Sequence, residues 1–150
     1  MSGAQILVTL AALVSLVGCA NTGAVKPPTW LSGSYEGSLS APAAVGCGLP
    51  SMLEPFTWTI SVDGDDFLLV SKSPYGNTFT FKSKLRSEGE HWLLSGSLET
   101  TSKSLGNGTF VGRLYAADHG VIFAHSVQSA TNPDCHEEGA ALAGVRDRRT

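Results

Sequence analysis

The sequence predicts an all-β domain, a small antiparallel up-and-down meander of about eight strands arranged as a barrel or a sandwich, behind a cleaved signal peptide. Three observations carry this expectation. Beyond Trp30 the apolar residues recur with a period of two, and no window of helical period lasts ten residues. Short turns rich in Gly, Asp, Asn and Pro separate the apolar runs, and short turns join antiparallel neighbours. Eight strands are about the number at which a twisted sheet closes on itself.

The first run is "LSGSYEGSLS". In "FTWTISV", Phe56, Trp58, Ile60 and Val62 point one way and Thr57, Thr59 and Ser61 the other, which is the pattern of a half-buried strand. "DGDD" turns the chain, because Asp63-Gly64 is a strong hairpin signal, and "FLLVSKS" returns. "PYGN" turns it again before "TFTFKSKLR", which sets Phe79, Phe81 and Leu85 against Thr, Lys and Ser. After "SEGE", the run "HWLLSGSLET" puts Trp92, Leu94 and Leu98 on one face. The loop "TSKSLGNG", the strand "TFVGRLYA", the turn "ADHG" and the strand "VIFAHSVQ" follow. "GAALAGVRD" completes the set, although its alanines also suit a short helix. Gly33, Gly96 and Gly112 each stand two residues before an aromatic or Leu, where glycine marks a bulge or a close backbone approach. Their irregular spacing excludes a solenoid or propeller repeat. A membrane-spanning barrel needs about ten alternating residues per strand and an outward apolar band, which these runs do not supply.

Composition narrows the setting. Ten Lys and Arg stand against 13 Asp and Glu, a net charge of -3, whereas nucleic-acid binding calls for a basic patch or stripe. Charged residues make up only 15% of the 150 positions and there are 17 glycines, a balance common in small extracytoplasmic β-domains.

The leader is informative. Ile6 to Val17 is apolar, too short for the roughly 20 residues of a membrane-spanning helix but suited to a signal-peptide core. It ends on Leu16-Val17-Gly18-Cys19, which resembles the lipobox of bacterial lipoproteins. The resemblance covers the leader only. It implies a diacylglyceryl group on the Cys19 sulfur, cleavage just before Cys19 and an acylated, palmitate-type N-terminus held in the membrane. Ala20, which is not the Asp of inner-membrane retention, implies sorting to the outer membrane, on its periplasmic or its outer face. Gly18-Cys19-Ala20 also fits an ordinary signal peptide cut after Ala20, which would give a soluble periplasmic or secreted protein. The expected organisation is a signal peptide at 1–18, a lipidated N-terminus and Pro27-Pro28 tether at 19–29, and a β-domain at 30–150.

In gross arrangement the body is similar to the calycin class of barrels, such as lipocalins, avidins and small periplasmic inhibitors. That likeness implies binding at the barrel mouth. Lipocalins carry Gly-x-Trp on the first strand, whereas here Trp30 precedes Gly33, so no binding residue carries over.

Catalytic and metal signals are sparse. No Gly-x-Ser-x-Gly elbow occurs, and a calcium loop opening at "DGDD" would need Glu where Pro74 stands. Of His91, His119, His125 and His136, only the last lies among other ligand types, in "DCHEE", which reads as a solvated polar loop. No metal or cofactor is expected. His125 shares a face with Val121, Phe123 and Val127, so it is an inner-face histidine and a candidate ligand contact. Trp30, Trp58, Trp92, Tyr35, Tyr75 and Tyr115 could supply an aromatic mouth, with Trp58 and Trp92 assigned to the core and Tyr75, in its turn, the second candidate contact. The tail "RDRR" reads as a solvated terminus, with anionic lipid as the alternative.

Removing Cys19 from the count leaves Cys47 and Cys135, both in Gly- or Pro-containing loops, as an expected disulfide. The bridge would close about 90 residues, worth about 4 to 5 kcal/mol on the chain-entropy model; the alternative is two separate thiols. The expected function is a membrane-anchored envelope lipoprotein with a non-catalytic binding or structural module. The alternatives are a small-ligand carrier with a barrel cavity and a protein-binding, inhibitor-like module.

Overall fold

Every barrel strand finds a hydrogen-bonded neighbour on both sides, which settles how the two-faced runs bury their apolar side. A computed structural model describes residues 26–45, 52–117 and 120–145. A 3-10 turn, Thr29–Leu31, precedes β1 (Gly33–Val45), β2 (Met52–Asp63), β3 (Asp66–Lys72), β4 (Thr78–Lys84), β5 (Arg86–Glu88), β6 (His91–Thr100), β7 (Gly108–Ala117), β8 (Gly120–Ser129) and β9 (His136–Val145). All pairings are antiparallel. β5 continues along β6 in the register of β4, from Phe79 opposite Thr100 to Arg86 opposite Leu93, so β4 and β5 are one strand broken at Leu85. At the break, Leu85 N–H donates to Asp65 O at 2.7 Å.

The ring closes through one pairing that no local signal announces, since β1 runs beside β9 as well as β2. β4 pairs with β6 as the continuation of the β5–β6 hairpin expected across "SEGE". The result is an eight-stranded up-and-down barrel; of the two expected arrangements, the sandwich is set aside.

Curvature has two sources. Opposite β9, the register of β1 shifts between Ser40 and Ala43, around Pro42, which lacks a ladder donor and is tolerated at such a bulge. At Gly96, a Cβ would stand 1.9 Å from the Lys82 carbonyl oxygen on β4, and at Gly112 it would stand 2.7 Å from the Phe123 ring. These two glycines mark close approaches, as expected. Gly33 does not, since nothing lies within 4 Å of its Cβ direction.

The alternation places large side chains inside. Trp58 stacks on Phe56 with ring centres 4.4 Å apart and meets Phe123 edge-on at 6.0 Å. Phe81 makes edge contacts with Phe110 at 5.0 Å and Phe123 at 5.3 Å. The indole N–H of Trp58 donates to Ser71 Oγ at 3.1 Å, which satisfies its one polar group. One end of the barrel is capped by Leu31, over which Tyr35, wholly buried, donates its hydroxyl to Leu31 O at 2.6 Å. Leu105, Ser102 and Cys135, all buried, close the other end.

Several boundaries differ from the sequence reading. β1 runs on through Val45 and β2 begins at Met52, because pairing between the two continues from Gly33–Ile60 to Ala41–Met52 after the apolar alternation has faded. His136–Glu138, expected in a polar loop, start β9, held by pairing to Val127, Gln128 and Val45. The alanine-rich last segment is a strand between two others, not a helix. The strands are also longer than the runs implied, with ten or more residues in β1, β2 and β6 to β9. Length alone therefore does not separate this barrel from a membrane-spanning one. The described faces do, since Thr57, Thr59, Ser61, Lys82, Ser95, Ser97 and Glu99 point outward and Phe56, Trp58, Phe81, Phe110 and Phe123 inward, the reverse of a lipid-facing wall.

Candidate functional site

The up-and-down path sorts the turns by end. The entering segment Lys26–Pro28, the 3-10 turn, the β2–β3 and β5–β6 connections and the paired ends of β7 and β8 at Ala117 and Gly120 lie at one end. The β3–β4, β6–β7 and β8–β9 connections lie at the other. Ten residues at about 3.3 Å each, tilted by about 40°, put the ends about 25 Å apart.

The β3–β4 hairpin has the best-defined tip. Ser73 accepts Gly76 N–H on its carbonyl at 3.1 Å, its N–H donates to Asn77 O at 2.9 Å, and its hydroxyl accepts Asn77 N–H at 3.3 Å. Pro74 holds the first central position of this tight turn, and Gly76, with φ +82°, takes the left-handed position that follows. Tyr75 stands between them, 71% exposed. The hairpin is tied to the β6–β7 loop, since Thr101 N–H donates to Thr78 O at 3.0 Å and Thr78 N–H to Thr101 Oγ1 at 2.9 Å. That loop is braced as well: Gly106 N–H donates to Ser102 O at 2.9 Å, Asn107 Oδ1 accepts Thr100 N–H at 2.9 Å, and Leu105 is tucked into the core.

His125, the other candidate contact, points into the barrel. Its ring stacks on Phe123 with centres 4.9 Å apart and lies 5.7 Å from Phe81. The structure therefore does not bring Tyr75 and His125 into one site, as one is outside at a tip and the other inside among aromatic rings. Tyr35 is consumed by the cap, Trp58 and Trp92 are core as expected, and Tyr115 faces outward beside the His91 ring at 5.0 Å. His91 Nε2 lies 2.8 Å from Glu88 Oε2, a surface contact across the β5–β6 turn that the separate runs did not reveal. A tight turn is what "DGDD" forms, with Gly64 at φ +61°. Its Asp65 and Asp66 meet Lys84 at 3.0 and 2.7 Å. The hydrogen bond from Lys84 holds the Asp65 carboxyl below its ordinary range, and the bonds to Asp66 and Asp65 raise the Lys84 ammonium.

Cys135 is wholly buried at the mouth of β9, where its N–H donates to Asn132 O at 2.9 Å and its carbonyl accepts Ser129 N–H at 3.1 Å. Its sulfur is engaged in a disulfide. Cys19, Cys47, His119 and the tail 146–149 lie outside the described residues. Among the described residues, no group of three or more His, Cys, Asp and Glu is placed to hold a metal ion.

A groove of about 660 Å³ runs along the seam where the chain enters, between Pro27-Pro28 and a wall of Val62, Leu85 and Trp92. Part of that wall is the tether itself. The interior carries packed rings, and the outer surface carries the exposed chemistry: the Tyr75 tip, and on the barrel wall Val111, Tyr115 and Ile122. The chain matches no protein-family model and no curated protein.

Proposed function

We propose that this chain is a lipid-anchored protein of the bacterial envelope whose barrel is a non-catalytic binding module acting through its outer surface. The observation that carries the outward reading is the packing of the described interior, in which Trp58, Phe81, Phe110 and Phe123 occupy in mutual contact space a carrier would keep for its ligand. A carrier would need those rings to move apart. Support for the anchor comes from Leu16-Val17-Gly18-Cys19, and Ala20 favours the outer membrane. Two or three acyl chains, at about 0.8 kcal/mol per buried methylene, would make the hold effectively permanent.

The bridge proposed for Cys135 is to Cys47. The pairing of Val45 with His136 sets the chain entering the first loop beside the residue after Cys135, which supports this partner over Cys19. In the membrane fraction of the producing cells, mass spectrometry of the mature N-terminus tests the anchor. A diacylglyceryl group on Cys19, and release or non-processing of Cys19→Ser, are expected. An unmodified chain beginning at Asn21 would overturn the anchor and retain export.

A further inference from the structure

We infer that the Tyr75 hairpin, flanked by Lys72 and Lys103, docks into an acidic cleft on a partner protein. This inference rests on the reading of the barrel as an outward-facing binding module, and it does not need the lipid anchor.

The first argument is preorganisation. A free aromatic at a hairpin tip loses backbone and rotamer freedom on binding, which ordinarily offsets much of its contact energy. Here that freedom is already restricted. Pro74 and the left-handed Gly76 set the turn, three hydrogen bonds to Ser73 brace it, and two more to Thr101 fix it against the next loop. Tyr75 is the most exposed large hydrophobic side chain among the described residues, and tyrosine has only two side-chain torsions to freeze.

The second argument is charge. Lys82 is held by Glu99 at 2.6 Å, and Lys84 by Asp65 and Asp66, so these two spend their charge within the barrel wall. Lys72 and Lys103 are exposed and make no ion pair among the described residues. Cross-strand pairing puts Lys72 opposite Thr78, and Thr78 is bonded to Thr101, two residues before Lys103. Lys72 and Lys103 thus belong to the same sector of the rim as Tyr75. Asp134, which is also exposed at this end, belongs to the β8–β9 loop, beyond the β6–β7 loop around the ring. An aromatic tip between two unneutralised cations is complementary to a pocket lined with carboxylates.

Shape selects a protein over a glycan. A single side chain on a convex hairpin fits a concave site, whereas a sugar is received by a groove or stacking platform that this tip does not provide.

The test uses the full-length chain in the cells that produce it, with a photoreactive phenylalanine analogue at position 75 and, as a comparison, at position 111 on the barrel wall. Irradiation is expected to give a protein adduct at position 75 whose cross-linked residues map to an acidic concavity. Combining Lys72→Glu with Lys103→Glu should cut its yield at least tenfold, and Lys72→Arg with Lys103→Arg should preserve it. Circular dichroism of the charge-reversed protein checks that the barrel is intact; both lysines are exposed, so an unchanged spectrum is expected. Absence of a protein adduct at position 75, an adduct with glycan or lipid, or an adduct indifferent to charge reversal would overturn the inference. An adduct at position 111 alone would overturn it too while leaving the outward-binding reading in place.

Discussion

Gly96 offers the sharpest test of how closely β4 and β6 approach. Replacing it with alanine would put a Cβ 1.9 Å from the Lys82 carbonyl oxygen and 3.1 Å from Ser83 Cα, and real Cβ contacts essentially never fall under 3.0 Å. The obstacle is backbone, so no side chain can swing aside, and β4 and β6 must part by about 1 Å. That parting stretches the Ser95 N–H bond to Ser83 Oγ, now 2.8 Å, together with the adjoining ladder. Overpacking of this kind costs about 1 to 3 kcal/mol, and a stretched hydrogen bond about 1 kcal/mol more. The expected loss is therefore about 2 to 4 kcal/mol out of a typical total of about 5 to 15 kcal/mol. Gly33→Ala is the control, because its Cβ meets nothing within 4 Å and the substitution removes unfolded-state freedom worth about 0.4 to 1 kcal/mol. Urea unfolding followed by tryptophan fluorescence reads both, and with a slope of about 1 to 3 kcal/mol per molar, Gly96→Ala should lower the midpoint by about 1 to 2 M. Gly33→Ala should leave it level or raised. Equal midpoints for the two variants would refute the claim that β4 and β6 meet too closely for any side chain at this position.

Further outcomes follow from the cap, the core, the surface charges and the bridge. Tyr35→Phe removes the donor to Leu31 O and should cost about 1 to 2 kcal/mol, with faster hydrogen exchange at Leu31 before the rest of the barrel responds. Phe123→Ala empties the centre of the ring cluster and should cost about 3 to 5 kcal/mol in thermal or urea unfolding. Because Lys84 lowers the Asp65 carboxyl, their pairing contributes to stability above the ordinary carboxylate range and is lost as pH falls through the lowered value; carbon-detected NMR of Asp65 should show its midpoint rise in Lys84→Ala. Cys135→Ser should cost about 2 to 5 kcal/mol, and non-reducing peptide mapping of the unaltered protein should recover Cys135 joined to Cys47.

Much of the fold is legible in single residues, and the failures have a common cause. Phe56, Trp58 and Ile60 declare their face because strand side chains alternate and only one side is buried. Asp63-Gly64 and Pro74 to Asn77 declare turns because few residues adopt those backbone angles. The edges of β1, β2 and β9 are not legible. Ala43, Ala44 and His136 have little strand signal of their own and are held by their partners' hydrogen bonds. Tyr75 was visible as a candidate because its turn is local. What makes it a distinctive tip, the tie from Thr78 to Thr101, joins residues 23 apart in the chain. Which lysines are neutralised was equally hidden, since Lys82 finds Glu99 and Lys84 finds Asp65 only once strands are neighbours.

The sequence by itself therefore determined the all-β class, the number of strands, the inward faces, the turns and the expectation of a lipid-bearing leader, because each is written in periodicity or in a short motif. The tertiary structure alone decided that the sheet closes, through β1 with β9, and that Gly96 is needed where Gly33 is not. It also decided that aromatic rings pack together inside the barrel and that His125 lies among them, while Tyr75 stands out beside two lysines that make no ion pair among the described residues. Those outcomes depend on which residues distant in the chain come to share a few ångströms. Local pattern carries no information about that until the strands are assembled.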